Sequence, residues 1–432
     1  MLDARCFSCH LAIISSNQLR SLRNIFSSPS EYATFAMAQW ANQQYRLCQV
    51  PDNQRQYLPE GLRRETAEFQ ERSEAYKEAA IRNQFCLDCI LRHAGQPHSQ
   101  EITSSTTISE HSSDASMSKV SSVLKSLARD WSAEGQAERD MAYRPIIEMV
   151  QKYLPLSRSG GHSPEGRGQN SAIKISVPGA GVGRLACELA SLGYMVQGNE
   201  FSLYMLLASD FILNGGMASP DKPLRISPFM LESRNVHAVA DSTRAVPIPD
   251  IDPYSLLMAN QNEGQEAPDF SMAGGEFVSI YGQMREKGAW DCVAACFFLD
   301  TSPCVVEYLL VIHHMLRPGG YLMNFGPLLW HWSGPAMRPD DHSVEEYNAR
   351  YSYLDKNYMK SVDMAWEDVR EIIINVGFEI VEERVGQSAL YTADRRSMMN
   401  MNYHCVHFVA RRKEGDNQTM PSNQPTPAPT AS

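Results

Sequence analysis

Apolar residues along the chain change their period near residue 172, and that change divides it in two. Before it the spacing is helical. Long stretches between Glu31 and His93 lack glycine, and Ala67 to Leu91 carries Phe69, Tyr76, Ala80, Ile81, Phe85 and Ile90 at mixed spacings that follow helical turns. Such a stripe is what a helix buries on one side. Val123, Leu124, Leu127 and Trp131 make a second stripe, and Ile146, Ile147, Val150 and Leu154 a third. Pro145 lies inside the third and is expected to start or kink a helix, because it has no amide hydrogen to donate. Gly95 to Ser118 and Leu156 to Ser171 are polar, rich in serine or glycine and without period, so both read as linkers.

From Ala172 short apolar runs alternate with helical stripes, which predicts an α/β sheet. Strands are expected at Ile173 to Val177, Tyr194 to Gln197, Trp290 to Leu299 and Tyr321 to Phe325. Helices are expected at Leu185 to Leu192, Leu203 to Leu213, Cys304 to Leu316 and Met364 to Val376. Pro318-Gly319-Gly320 should stop the third helix and Gly377 the fourth. Phe378 to Val385 and His404 to Ala410 would close the sheet as an antiparallel pair. Two long insertions, 215–273 and 332–362, interrupt the scheme, and insertions of that length usually carry function. The domain reading is a flexible extension over 1–30, a helical region over 31–155, the α/β unit over 172–412 and a disordered tail over 413–432.

The chain has 432 residues, 43% of them hydrophobic and 21% charged, which suits a globular protein with a large core. Its net charge of -11 argues against a main task of gripping nucleic-acid phosphates. No apolar run reaches the length of a membrane span. Ten cysteines, several inside apolar segments, fit reduced buried thiols in a cytoplasmic or nuclear compartment. Arg5, Arg20 and Arg23 give the first thirty residues some character of a targeting signal, though without a continuous apolar region. Cys6-Phe-Ser-Cys-His10 matches a haem-attachment pattern, and Cys86, Cys89 and His93 have the types of metal ligands. The second group sits at helical spacing, where packing accounts for it, and no metal is assigned.

The stretch Val177-Pro-Gly-Ala-Gly-Val-Gly-Arg-Leu-Ala places Gly179, Gly181 and Gly183 between a strand and a helix. A dinucleotide fingerprint needs its last glycine where Arg184 stands. Gly-x-Gly-x-Gly instead lets the backbone approach a ligand without phosphate, here the methionine portion of S-adenosylmethionine. Glu200 ends the second strand, where a carboxylate can accept from both ribose hydroxyls; a surface glutamate is the plainer reading. Glu276 and Phe277 offer an acid and a ring for adenine. Asp300 lies just past a buried strand, at the carboxyl edge where α/β sheets place ligands. A carboxylate there could accept from one imidazole nitrogen, aim the other at a methyl group and stabilise the imidazolium that forms. The competing reading makes Asp300 a helix N-cap before Thr301-Ser-Pro.

These motifs, with Gln197-Gly-Asn-Glu-Phe-Ser, Trp290-Asp-Cys-Val-Ala-Ala-Cys-Phe-Phe-Leu-Asp300 and Asn324-Phe-Gly-Pro-Leu-Leu-Trp-His331, resemble the carnosine N-methyltransferase family. Arg129-Asp-Trp-Ser, Ala137-Glu-Arg-Asp, Pro51-Asp-Asn-Gln, Tyr391-Thr and Ser397-Met-Met share the resemblance, which spans about residues 31 to 412. It implies a Rossmann-like class I methyltransferase sheet with an N-terminal helical region, using S-adenosyl-L-methionine to methylate the imidazole of β-alanyl-histidine to anserine. The implied partner is a small dipeptide rather than nucleic acid or membrane, and a homo-oligomer stays open. Arg129, Gly179, Gly181, Glu200, Glu276, Phe277 and Cys296 would contact the cofactor; Asp300 and His331 would be catalytic and, with Tyr391 and Tyr403, hold the acceptor. Taken without the resemblance, Arg129 reads as a solvated helix charge, His331 as a structural histidine between tryptophans and Tyr403 as a core-edge tyrosine. Ser126 and Met401 depart from the family's glutamine and tyrosine, so a peptide or protein histidine remains an alternative acceptor, and a binding protein without turnover an alternative class.

Overall fold

The computed structural model describes residues 9–10, 31–94, 110–156, 172–215, 219–260, 268–335, 338, 340, 343–391 and 394–415. Four long helices precede the sheet domain: α1 (Glu31–Cys48), α2 (Ala67–His93), α3 (Glu110–Trp131) and α4 (Gln136–Tyr153). Thr66 caps α2 by accepting from the Phe69 amide. The stripe of α3 is what it buries, with Leu124, Leu127 and Trp131 out of solvent. That burial draws the helix back to Glu110, so 110–118 are helical and the expected linker ends earlier. Docking of the apolar face propagates the helix into a polar segment that has no signal of its own. Residues 95–109 lie outside the described residues. Pro145 sits within α4 without ending it.

The strands are β1 (Cys9–His10), β2 (Lys174–Pro178), β3 (Met195–Glu200), β4 (Leu224–Ile226), β5 (Val246–Ile248), β6 (Phe270–Gly274), β7 (Trp290–Cys296), β8 (Leu316–Gly326), β9 (Phe378–Leu390) and β10 (Asn402–Arg412). Eight of them form one sheet in the order β1-β6-β3-β2-β7-β8-β10-β9. Strands β1 to β8 of this sheet run parallel, and β10 pairs antiparallel with both β8 and β9. Central strands buried on both faces need continuous apolar runs, and Ile175, Val177, Val293, Ala294 and Ala295 are buried accordingly. Helices α5 (Arg184–Ser191), α6 (Leu203–Asn214), α7 (Val305–Met315) and α8 (Trp366–Asn375) cover the sheet. This is the expected Rossmann-like sheet with a helical N-terminal region.

Three expectations need correction. The insertion 215–273 ends in a sheet strand, because Phe270 and Met272 face inward and β6 pairs with β3. Two apolar residues among serine, alanine and glycine are too short a pattern to announce a strand. Pro318-Gly319-Gly320 lie within β8, which starts at Leu316. Strands β9 and β10 extend beyond their apolar cores to Leu390 and back to Asn402, held by pairing with each other.

A buried polar network joins the helical region to the sheet. Arg184 Nη1 donates to Asp250 Oδ1 (2.8 Å) and to the Asp130 carbonyl (3.0 Å), and its guanidinium lies over the Trp131 ring. Arg139 reaches the other Asp250 oxygen at 2.7 Å. Trp131 Nε1 donates to the Val182 carbonyl in the glycine loop. Each charge is both paired and hydrogen-bonded, as buried charges require.

Candidate active site

Strand order reverses between β3 and β7 on either side of β2, and ligands of open α/β sheets sit in the crevice above such a point. The glycine loop occupies it. Gly179, Gly181 and Gly183 have φ of 65°, 56° and 86°, left-handed values that a side chain resists. A Cβ on Gly183 would also stand 3.1 Å from Leu213 and 3.2 Å from Ser209. Gly181 N–H donates to Glu200 Oε2 at 2.9 Å, and Ser202 N–H to Glu200 Oε1 at 2.7 Å. Burial raises the Glu200 pKa above the usual carboxylate range, against these amides and nearby Arg129.

Arg129, near the end of α3, reaches over this loop. Its Nη2 is 3.8 Å from where a Gly181 Cβ would stand. Asp130 holds the guanidinium in two bonds, at 2.6 and 3.1 Å, and Tyr143 donates to the same aspartate at 2.8 Å. The other side of Arg129 meets Tyr391, whose ring centroid is 5.7 Å away. So Arg129 is not a solvated helix charge. Between them is a cavity of ≈ 70 Å³ bordered by Arg129, Glu138, Gly179, Cys296, Phe297 and Tyr391 among others. Cys296, at the end of β7, donates toward the Ala142 carbonyl at 3.6 Å, and burial pushes its thiol pKa up.

Beside β6 the sequence-predicted acid and ring take different parts. Glu276 caps the short helix Phe277–Tyr281, accepting from the Val278 and Ser279 amides at 3.0 and 2.7 Å. Phe277 is buried, its ring centroid 5.1 Å from that of Phe298 and 5.2 Å from that of Tyr308. Phe298 in turn comes within 3.0 Å of a Cβ on Gly179. The aromatic floor next to the glycine loop is therefore Phe298 with Tyr308, with Phe277 behind, and burial pushes the Tyr308 hydroxyl up to about 12.

Past β7 lies a second group. Asp300 is 2% exposed, within a turn of 3-10 helix at Leu299–Thr301. Its Oδ2 accepts from Leu329 N–H at 2.9 Å, and its backbone carbonyl from His331 N–H at 3.0 Å. Helix α7 starts instead at Val305, with Cys304 in the N-cap position, so Asp300 is not its cap. It brackets the segment that carries His331. Burial raises the Asp300 pKa, countered by the Leu329 amide and by His331. Phe297, before this turn, and Trp330, beside His331, have positive φ of 52° and 49°, a strain that functional sites commonly hold. Phe297 stacks on Tyr391 with centroids 4.8 Å apart, and Tyr403 meets both rings edge-on at 6.2 Å. The Tyr403 pKa is raised by burial, then by Tyr391 and Asp300. Phe297 and Tyr391 border the cavity, Tyr403 meets both of their rings, and His331 is exposed.

Sequence reasoning missed Asp130, Tyr143, Arg139 and Asp250, since a buried polar residue carries no periodic signal. The two departures sit in different environments: Ser126 is buried at 6% exposure, and Met401 is 45% exposed. Cys86 and Cys89 are buried within α2, and His93 faces Asp210 at 3.2 Å. Among the described residues no cluster of three His, Cys, Asp or Glu could hold a metal ion, and no helix is long and apolar enough to cross a membrane.

The family model of carnosine N-methyltransferase matches residues 106–414. The carnosine N-methyltransferase of Rattus norvegicus is 33% identical over 370 residues, covering 84% of this chain and 79% of its own length. That of Schizosaccharomyces pombe is 35% identical over 295 residues, covering 68% and 71%. The chain therefore belongs to the carnosine N-methyltransferase family, as an enzyme that uses S-adenosyl-L-methionine to methylate nitrogen.

Proposed function

We propose that this enzyme methylates the imidazole ring of carnosine, β-alanyl-histidine, and so forms anserine. The observation that supports this reading is a buried carboxylate, Asp300, near enough to Tyr403 to raise its pKa, three residues after Phe297, which borders the glycine-loop cavity. S-adenosyl-L-methionine, when bound, supplies an electrophilic methyl group on a sulfonium. Arg129 suits its methionine carboxylate, because a guanidinium fork matches a carboxylate. Glu200 suits the ribose, with acceptor capacity beyond its two amide bonds. Gly179 and Gly181 allow close approach, Cys296 borders the methionine portion, and Phe277 and Glu276 shape the adenine side.

Asp300 accepts the N–H of the acceptor imidazole, fixes its tautomer and stabilises the positive charge that develops on it. Its burial makes that stabilisation larger than in water. Tyr391 and Phe297 form a flat wall for the ring, and Tyr403 offers a hydroxyl. His331, exposed and bonded through its amide to the Asp300 carbonyl, is the residue for the dipeptide's polar tail. The ring must be neutral to attack, and in-line placement does the rest.

Incubating the purified protein with methyl-labelled S-adenosylmethionine and, separately, carnosine, free histidine and histidine-containing proteins tests the reading. Labelled anserine, identified by mass and by the position of the ring methyl, is expected. Label only in protein, or on another atom of the dipeptide, would overturn it.

A further inference from the structure

We propose that Asp250 is a positioning residue for cofactor binding, acting through Arg129. The inference rests on placing the cofactor's methionine carboxylate at Arg129. Helix α3 ends at Trp131, and the last carbonyls of a helix have no partner within it. Here they are met from outside. Arg139 Nη1 donates to the Arg129 carbonyl at 2.6 Å and to that of Ser132 at 2.8 Å. Arg184 Nη1 donates to the Asp130 carbonyl at 3.0 Å, and the Asp250 amide to the Trp131 carbonyl at 3.0 Å. Four consecutive carbonyls, the first that of Arg129 itself, are thus gripped by three residues. Gly135 leaves room for this, since a Cβ there would stand 1.9 Å from the Arg129 oxygen.

The Asp250 side chain holds the two arginines in place. Its Oδ2 accepts from Arg139 Nη2 at 2.7 Å, and its Oδ1 from Arg184 Nη1 at 2.8 Å and from the Ile251 amide at 3.1 Å. Arg184 also pairs with Glu188, whereas Asp250 is the one carboxylate paired with Arg139 among the described residues. A buried guanidinium without a counter-charge is costly, so losing the carboxylate loosens the Arg139 fork and the carbonyls it holds. The Arg129 side chain leaves that same backbone to reach the glycine loop, and Asp130, which sets its direction, belongs to the gripped stretch too. A shift of roughly 1 Å there is enough to spoil a two-point contact with a ligand carboxylate. Asp250 is not among the residues bordering the cavity. The insertion 215–273 therefore acts on the cofactor through the end of α3, without touching it.

The test compares S-adenosylhomocysteine with 5′-methylthioadenosine, which shares the thioether and nucleoside but lacks the amino acid. Asp250→Asn keeps the shape and removes the charge. Calorimetry on the full chain should show S-adenosylhomocysteine weakened about fivefold or more and methylthioadenosine bound within about twofold of wild type. In an Arg129→Ala background the same change should cost nothing further, because the side chain through which it acts is gone. Arg139→Lys, which keeps a charge but not the fork, should reproduce the pattern. Equal losses for both ligands, or a further loss in the Arg129→Ala background, would make the cluster structural and overturn the proposal. Loss of the fold in both variants, followed by circular dichroism, would do the same. If Arg129→Ala itself spares S-adenosylhomocysteine, the placement of the methionine carboxylate fails. If it weakens binding while Asp250→Asn and Arg139→Lys do not, only the role of Asp250 fails.

Discussion

The amide of Gly181 donates to Glu200 Oε2 across 2.9 Å, tying the glycine loop after β2 to the end of β3. The bond fixes the carboxylate and the glycine loop against each other. Glu200→Ala should therefore weaken S-adenosylmethionine binding by about 1.5–3 kcal/mol, the range for hydrogen bonds to a charged group. Calorimetry checks it. Glu200→Gln keeps the shape and should recover part of the loss; an alanine variant with wild-type affinity and an intact fold would contradict the placement.

Arg129 is held by Asp130 and lies over Tyr391, so it is positioned before any ligand arrives. Arg129→Lys preserves the charge but not the fork and should still raise the cofactor dissociation constant, by about fivefold or more. Arg129→Ala should raise it further. Equal affinity in lysine variant and wild type would show that charge alone matters there.

Asp300 carries a raised pKa because it is buried. For a carboxylate, a folded pKa above the unfolded value means that the folded state holds its proton more tightly. Stability is then lost as pH rises from the ordinary carboxylate range, about 3.9, to the raised value, and the full cost persists above it. Asp300→Asn removes that cost. Its melting temperature at neutral pH should equal or exceed that of wild type, while turnover falls about a hundredfold. Wild-type activity should also decline below about pH 6.5, where free imidazole protonates. A variant that is less stable yet fully active would make Asp300 a structural bracket alone.

Arg244 joins three segments: it pairs with Glu134 at 2.9 Å and Asp394 at 2.8 Å and lies over Phe229. Asp394 belongs to the connection between β9 and β10, just beyond Tyr391. Arg244→Ala would strand the largely buried Asp394 carboxylate, while Glu134 is exposed, and should cost about 1–3 kcal/mol in urea unfolding. The acceptor KM should rise more than the cofactor dissociation constant, because Tyr391 loses its anchor first. Equal rises in both would show that the pair supports the fold generally.

The sequence by itself determined the parallel sheet, the glycine loop and the acid at the end of β3. Each of these is local: a strand buried on both faces must be apolar, positive φ selects glycine, and a strand end follows its strand. It also marked Asp300 through its place after β7. What only the tertiary structure decided are the relations between distant segments. The stripe of α3 showed that a helix would bury Leu124 and Leu127, not that Arg129 would lie over Gly181. Arg184 looked like a missing glycine and proves to pin Asp250 and Asp130. Glu276 and Phe277 read as an acid and a ring for adenine, and the fold adds that Glu276 caps a helix and that Phe277 packs against Phe298. Strand β6 was invisible because its pairing with β3 supplies the order that two apolar residues cannot. Hydrogen bonds and ion pairs between segments more than fifty residues apart depend on direction and distance in space, and residue order encodes neither.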